Sequence, residues 1–189
     1  MRKVIYSTMV SLDGFTADLK RSLDWVIIDE ELHGFVNEQE REIDTYLFGR
    51  RMYEVMQYWE TADQDPTIPE YMREYARIWK HILKMVFSKT LEQVQGNARL
   101  VRGNIVEEIA QLKAQPGKSM SVGGAHIASN LIQLGLIDEY RLFIHPVVLG
   151  GGTPMFPALD KQIGLRLAET RTFSSGVVFL RYQPTKQER

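Results

Sequence analysis

The sequence predicts an α/β fold with a central mixed, mostly parallel sheet, helices on both of its faces, and an antiparallel hairpin at the C-terminus. Three observations carry the prediction. Short apolar runs rich in strand-forming residues recur along the chain, with amphipathic segments between most of them, as parallel sheets require. Residues 119–156, SMSVGGAHIASNLIQLGLIDEYRLFIHPVVLGGGTPMF, read as strand, glycine pair, helix, second strand and glycine triplet. Residues 165–172 and 177–182 read as two strands joined by Ser174-Ser175-Gly176.

The remaining elements follow from local pattern. Residues 3–10 alternate Val4, Tyr6, Thr8 and Val10 against Ile5, Ser7 and Met9, a strand that ends in the Asp13-Gly14 turn signal. Residues 29–44 carry Leu32, Phe35, Val36 and Ile43 among acids and amides, an amphipathic helix with acidic residues at its N-terminal end. Residues 45–48 form a short buried strand, and Gly49 opens a helix to about residue 58. Pro66 and Pro69 punctuate a connection before a helix over 70–79. Strands follow at 81–87 and 98–102. Asn104 caps the next helix, with Glu107 completing a capping-box-like pair, and Pro116-Gly117 ends it. Ile127, Leu131 and Leu134 align on a further helix that stops at Gly135.

Composition bounds the function. The chain has 189 residues, enough for one domain with a sizeable core, expected over 1–183 with a frayed tail at 184–189. A net charge of −1 gives no global attraction for nucleic acid or membrane, so recognition must be local. The absence of cysteine excludes disulfides, thiolate metal sites and cysteine nucleophiles. The four histidines show no ligand spacing, so no metal is expected. Ser7, Thr8 and Ser11 break the N-terminal apolar run, which reads as a strand rather than a signal peptide. No window reaches the roughly 18 apolar residues of a membrane span. A cytoplasmic enzyme of bacterial style is expected.

Three strand ends run into segments suited to an anion. At Gly49-Arg50-Arg51 a helix N-terminus and two arginines suit a phosphate, against a plain glycine turn with solvated arginines. Ser88-Lys89-Thr90 sets two hydroxyls around an ammonium, which suits a ribose phosphate or forms a simple surface turn. Gly123-Gly124-Ala125-His126 lets a cofactor lie against the backbone, with a helix N-terminus facing a pyrophosphate. Each signal is weak alone. Together they gain weight, because a parallel sheet delivers all such ends to one edge.

The segments SLDGF at 11–15, YLFGRRMYE at 46–54, VFSKT at 86–90, SVGGA at 121–125 and DEYRLFIHPVVLGGGTPMF at 138–156 carry a resemblance. In order, and over residues 1 to about 182, they resemble the dihydrofolate-reductase-like superfamily. More closely they resemble the C-terminal reductase domain of the bifunctional riboflavin-biosynthesis deaminase/reductase and its stand-alone bacterial relatives. The chain has no zinc signature or cysteine from which to build the deaminase half. The resemblance implies a three-layer fold, NADPH as hydride donor and a homodimer. It places Gly49, Arg50 and Arg51 at a cofactor phosphate and Ser88, Lys89 and Thr90 at the adenosine ribose and its 2′-phosphate. Gly123, Gly124 and Ala125 fall at the nicotinamide and pyrophosphate, and residues 11–17 at the segment that closes over nicotinamide and substrate.

Hydride transfer needs no protein nucleophile, so the chain's part is position and dryness, with a proton only where the substrate needs one. Asp13, Glu31 and His33 are the candidate proton donors or substrate anchors. Turn capping is the plainer role for Asp13, and exposure amid acids the plainer expectation for His33. True dihydrofolate reductases hold the pterin with an acid early on the first long helix, a region that here falls at Glu31, His33 and Asn37. His126 either contacts cofactor or caps its helix, and His145 is expected in the core. Trp25, Phe35 and Asn37 are candidate substrate contacts, with core packing as the plainer role for the two aromatics. The expected function is NADPH-dependent reduction of a small pterin-like or pyrimidine-like heteroaromatic, or of a carbonyl or imine. Reduction of the ribosylamino-pyrimidine of riboflavin synthesis and non-catalytic NADPH sensing are the alternatives. For Gly150–Gly152 a structural turn is favoured over a cleft wall.

Overall fold

Strand-forming residues open and close the chain, and helices fill the stretches between. A computed structural model describes residues 1–185; the remainder of the predicted tail lies outside the described residues. In order the elements are β1 (Val4–Ser11), β2 (Phe15–Ala17), α1 (Glu30–Glu40), β3 (Ile43–Gly49) and α2 (Arg50–Met56). Two 3-10 turns (Gln57–Glu60 and Ala62–Gln64) lead to α3 (Glu70–His81), β4 (Leu83–Phe87), β5 (Ala98–Val101), α4 (Ile105–Ala114) and β6 (Ser119–Gly123). Then come α5 (Ala125–Gln133), β7 (Glu139–His145), β8 (Thr153–Pro154), β9 (Leu165–Thr172) and β10 (Val178–Pro184). They group into two compact units, one of Met1–Lys3 and Glu30–Gly124, the other of Val4–Asp29 and the chain from Ala125 onward.

In the first unit the strands lie in the order β5-β4-β3-β6, with every pairing parallel. One face of β3 carries Tyr46 and Phe48, stacked on each other at 4.9 Å and both packed on Trp79 of α3. Beneath Trp79 lies the fully buried Lys84, whose Nζ donates to the Trp79 carbonyl at 2.7 Å and sits 3.3 Å from Glu60 Oε1. The ammonium thereby meets a helix C-terminus and a carboxylate, which together offset the loss of water around it. At the N-terminal ends of β3 and β6, Arg2 donates to the Lys118 carbonyl at 2.8 Å, to Thr45 Oγ1 at 2.8 Å, and to Asp44.

In the second unit β7 pairs parallel with β1 and antiparallel with β10, and β9 completes the predicted hairpin. The mixed, mostly parallel α/β architecture expected from the sequence is therefore present. Several boundaries differ. The first helix ends at Glu40 instead of 44, because Ile43 pairs with Ser119 in the sheet. His81 is the last residue of α3, so β4 begins two residues later than expected. Leu134 lies beyond α5 and is 54% exposed; Gly135, at φ 65°, turns the chain so that Leu136 N–H reaches the Leu131 carbonyl at 2.9 Å. Asn104 does cap α4, but its side chain accepts from the Val106 amide. The ribbon formed by β2 and β8 was not expected, since strands of three and two residues carry no readable period.

Two glycines of the first unit separate packing from openness. A Cβ at Gly123 would stand 2.3 Å from Phe48 Cε1, whereas one at Gly49 would meet nothing within 4 Å. Gly123→Ala should therefore cost about 1–3 kcal/mol through overpacking. Gly49→Ala should change stability by less than about 1 kcal/mol. Urea unfolding of the two variants checks this; equal losses would show that Phe48 moves aside freely.

Candidate functional site

Parallel register brings the expected anion-binding segments of the first unit to one edge. Gly49 pairs with Phe87, Phe87 with Val101, and Phe48 with Gly123. The residues that follow these strands, Arg50-Arg51, Ser88-Lys89-Thr90, Arg102 and Gly124, accordingly leave from the same side. Gly49 precedes α2 in extended conformation (φ −80°, ψ 167°), and no side chain caps the helix there. With open space where its Cβ would be, the Gly49 backbone forms a bare cradle.

The cations around that cradle are linked. Arg50 donates from Nε to Glu54 Oε1 at 2.6 Å and from Nη1 to Thr90 Oγ1 at 3.2 Å. Ser88 Oγ accepts from the Thr90 and Leu91 amides at 3.2 and 3.0 Å, folding the segment back on itself. Arg102 grips the same segment, donating to the Lys89 carbonyl at 3.0 Å and the Leu91 carbonyl at 2.7 Å. Arg51 and Lys89 are exposed and take part in no ion pair among the described residues. Arg102 was missed in the sequence, although it too is a basic residue directly after a strand end and next to a glycine, Gly103.

The glycine pair after β6 has a packing role as well. Gly124 adopts φ 95°, and a Cβ there would meet Met52 Cβ at 3.3 Å. Ala125 opens α5 and is half-buried, and His126 is exposed beside it.

On α1, Glu31 is exposed in the first turn. His33 is not. It is only 7% exposed, with Trp59, Tyr71 and Tyr75 around it at centroid distances of 6.1, 5.0 and 5.6 Å. The expectation of an exposed histidine fails because α3 and the 3-10 turn Gln57–Glu60 cover this side of α1. Asn37 Nδ2 donates to the Tyr71 carbonyl at 2.9 Å and to Glu74 Oε2 at 2.8 Å, so its Oδ1 faces His33 Nδ1 at 3.2 Å. This network assigns the proton to Nδ1. Burial lowers the His33 pKa, while Asn37 and Glu74 pull it the other way. Asn37 and Phe35, expected to touch substrate, are both buried, and the Asn37 side chain joins α1 to α3.

In the second unit the exposed Asp13 carboxylate is tied to its own loop and to the chain after β7. It accepts from Ser11 Oγ at 2.6 Å, from the Leu149 amide at 3.1 Å and from the Gly150 amide at 2.7 Å. The Ser11 hydroxyl, helped by those two amides, holds its pKa below the usual aspartate value, so Asp13 is an anionic clasp. Gly150 has φ 71° and Gly152 φ 144°, and a Cβ at Gly152 would stand 2.0 Å from the Ala17 carbonyl oxygen. The glycine triplet thus turns the chain into β8, the structural role expected of it. His145 is fully buried, its Nδ1 accepting from the Ile27 amide at 3.3 Å, and Trp25 packs edge-on against it at 5.4 Å. Burial lowers the His145 pKa too.

Among the described residues no group of three or more His, Cys, Asp or Glu side chains could hold a metal ion. No helix there is long and apolar enough to cross a membrane. A cavity of about 600 Å³ in the second unit, lined by Ile132, Tyr140 and Ile163 among others, contains none of the expected site residues.

Residues 2–179 match the model of the RibD C-terminal domain. The chain belongs to that family. Among its relatives is the uncharacterized protein YyaP of Bacillus subtilis, 38% identical over 185 residues, which are 96% of this chain and 94% of that one. The fold is shared with a deaminase/reductase from Thermotoga maritima, diaminohydroxyphosphoribosylaminopyrimidine deaminase/5-amino-6-(5-phosphoribosylamino)uracil reductase. That match has a TM-score of 0.69 and 15% identity, over 97% of this chain and 57% of that one. It is shared as well with dihydrofolate reductase from Enterococcus faecalis in complex with NADP(H), at TM-score 0.63 and 16% identity over 97% of both chains.

In this RibD C-terminal domain hydrogen bonding favours the charged form of Asp13, whereas burial favours the neutral forms of His33 and His145. For both histidines the fold favours the uncharged imidazole. Their contribution to stability is complete above the unfolded pKa of roughly 6.5 and is lost as pH falls through the folded values. The urea midpoint should drop between neutral and mildly acidic pH, and a His33→Gln/His145→Gln double variant should flatten that slope. An unchanged slope would remove both residues from the account. Asp13→Ala should accelerate amide exchange at Leu149 and Gly150, a comparison best made near neutral pH where the clasp is fully charged.

Proposed function

We propose that this RibD C-terminal domain is an NADPH-dependent reductase. Its substrate is a small pterin-like or pyrimidine-like heteroaromatic, or a related carbonyl or imine. The observation that carries the reading is the open Gly49 cradle with Arg50, Arg51 and Lys89 at neighbouring strand ends. Bare backbone beside several cations suits a dinucleotide carrying an extra phosphate. The family match and the NADP(H) complex of the Enterococcus reductase support it.

In this reading Gly49, Arg50 and Arg51 hold a cofactor phosphate, and Ser88, Lys89 and Thr90 hold the ribose with its 2′-phosphate. Gly123, Gly124, Ala125 and His126 border the nicotinamide side. The bound cofactor supplies the hydride, so the chain contributes binding, orientation and exclusion of water. Glu31 and His33 are the proposed proton donors or anchors and Trp25 a substrate contact, with Phe35 and Asn37 acting through the packing of α1. Asp13, accepting three hydrogen bonds, orders its loop in this reading. Homodimerisation and a cytoplasmic location belong to the same proposal, and light scattering and fractionation test them.

A second reading, reduction of the ribosylamino-pyrimidine in riboflavin synthesis, draws on the named activity of the Thermotoga relative. A substrate panel separates the two. Ligand-free protein should quench or shift NADPH fluorescence and gain thermal stability with it; neither response would sink the cofactor assignment. Binding without oxidation across the panel would favour a sensor. Arg50→Ala/Lys89→Ala should weaken NADPH by about 10- to 100-fold more than NADH, and equal losses would count against the 2′-phosphate contact.

A further inference from the structure

The segment 88–97 joins two parallel neighbours, β4 and β5, without a helix of its own. Parallel crossovers usually contain one, so something else must fix the shape of Ser88-Lys89-Thr90. The far end of the segment is tied to α2, where Tyr53 Oη accepts from the Gln95 amide at 2.7 Å and donates to the Gln95 carbonyl at 3.2 Å. At the near end Ser88 Oγ takes the amides of Thr90 and Leu91. Arg102 takes the carbonyls of Lys89 and Leu91. The peptide between Lys89 and Thr90 is thus held through its carbonyl by Arg102 and through its amide by Ser88.

We infer that Arg102 is a positioning residue for phosphate selectivity: its guanidinium bridges two carbonyls and sets the shape in which Ser88, Lys89 and Thr90 meet a ribose phosphate. The inference rests on the cofactor reading above. The planar fork of arginine spans both carbonyls at once. Lysine would keep the charge and lose the bridge. The consequence reaches Arg50, because the same brace fixes Thr90, whose Oγ1 accepts from Arg50 Nη1 at 3.2 Å. Loop shape and the direction of two cations are therefore set together.

Arg102→Lys is the decisive variant, with Arg102→Ala and Lys89→Ala beside it. NADPH and NADH are titrated against each, and amide exchange at Thr90 and Leu91 is followed without nucleotide. Arg102→Lys should lower the NADPH-over-NADH affinity ratio about tenfold, leave NADH binding nearly unchanged, and accelerate exchange at both amides. A thermal midpoint near that of the wild type would show that the fold is intact. Wild-type binding of NADPH with an unchanged ratio in Arg102→Lys would overturn the inference alone, because charge without the bridge would then suffice. A wild-type protein that binds no NADPH would overturn the cofactor reading and with it the selectivity role. Unchanged exchange at Thr90 and Leu91 in Arg102→Lys would refute the brace itself, whatever nucleotide binds.

Discussion

The parallel pairing of β3 with β4 and β6 is the constraint on which the candidate site depends. It aligns Gly49 with Phe87 and Phe48 with Gly123, and β5 extends the row through Val101. A slip of one residue would turn Tyr46 and Phe48 away from Trp79 and carry Gly49 off the edge. Three features resist such a slip. The Tyr46–Phe48–Trp79 stack fills one face, Lys84 pins β4 to the end of α3, and Arg2 holds the opposite ends of β3 and β6. None of these residues lies among the basic strand-end residues, yet each fixes where those residues emerge.

Glycine has different physical duties at the strand ends. At Gly49 the missing side chain leaves open space, whereas at Gly123 it leaves room for Phe48. At Gly150 and Gly152 the demand is conformational, with φ of 71° and 144°. In the sequence these glycines look alike, although a structural turn is the favoured reading at Gly150–Gly152. Only the surroundings separate a cradle from a packing requirement or a turn.

The same contrast marks what was legible beforehand. Strands β1, β6, β7 and the final hairpin were readable because alternation and β-branched content survive in a one-dimensional pattern. Asn104 and Gly135 announced their helix ends for local reasons, through a side-chain cap and a positive φ. His33 was misread because its burial comes from Tyr71 and Tyr75, some forty residues away in sequence. Arg102 escaped because its partners are backbone carbonyls, which no residue type advertises. The short ribbon of β2 and β8 exists by virtue of the Gly152 turn and the Met155 amide on the Gly14 carbonyl, contacts that periodicity cannot show.

Three polar side chains of the second unit hold loops in place. Asp13 gathers one hydroxyl and two amides, Asp18 accepts from the Ser22 amide at 2.7 Å, and His145 receives the Ile27 amide. Between these ties Leu12, Leu19, Leu23, Ile27 and Ile28 remain 44–81% exposed. A segment secured by a few polar contacts and carrying little buried apolar surface opens at low free-energy cost. The strand-end cations of the first unit sit on a different footing, since paired strands and a packed aromatic stack fix their backbone. Diversity among members of such a fold falls most readily on loops like 12–28. Strand ends fixed by register are legible in a sequence, whereas a loop such as 12–28, held by a few polar ties, is not.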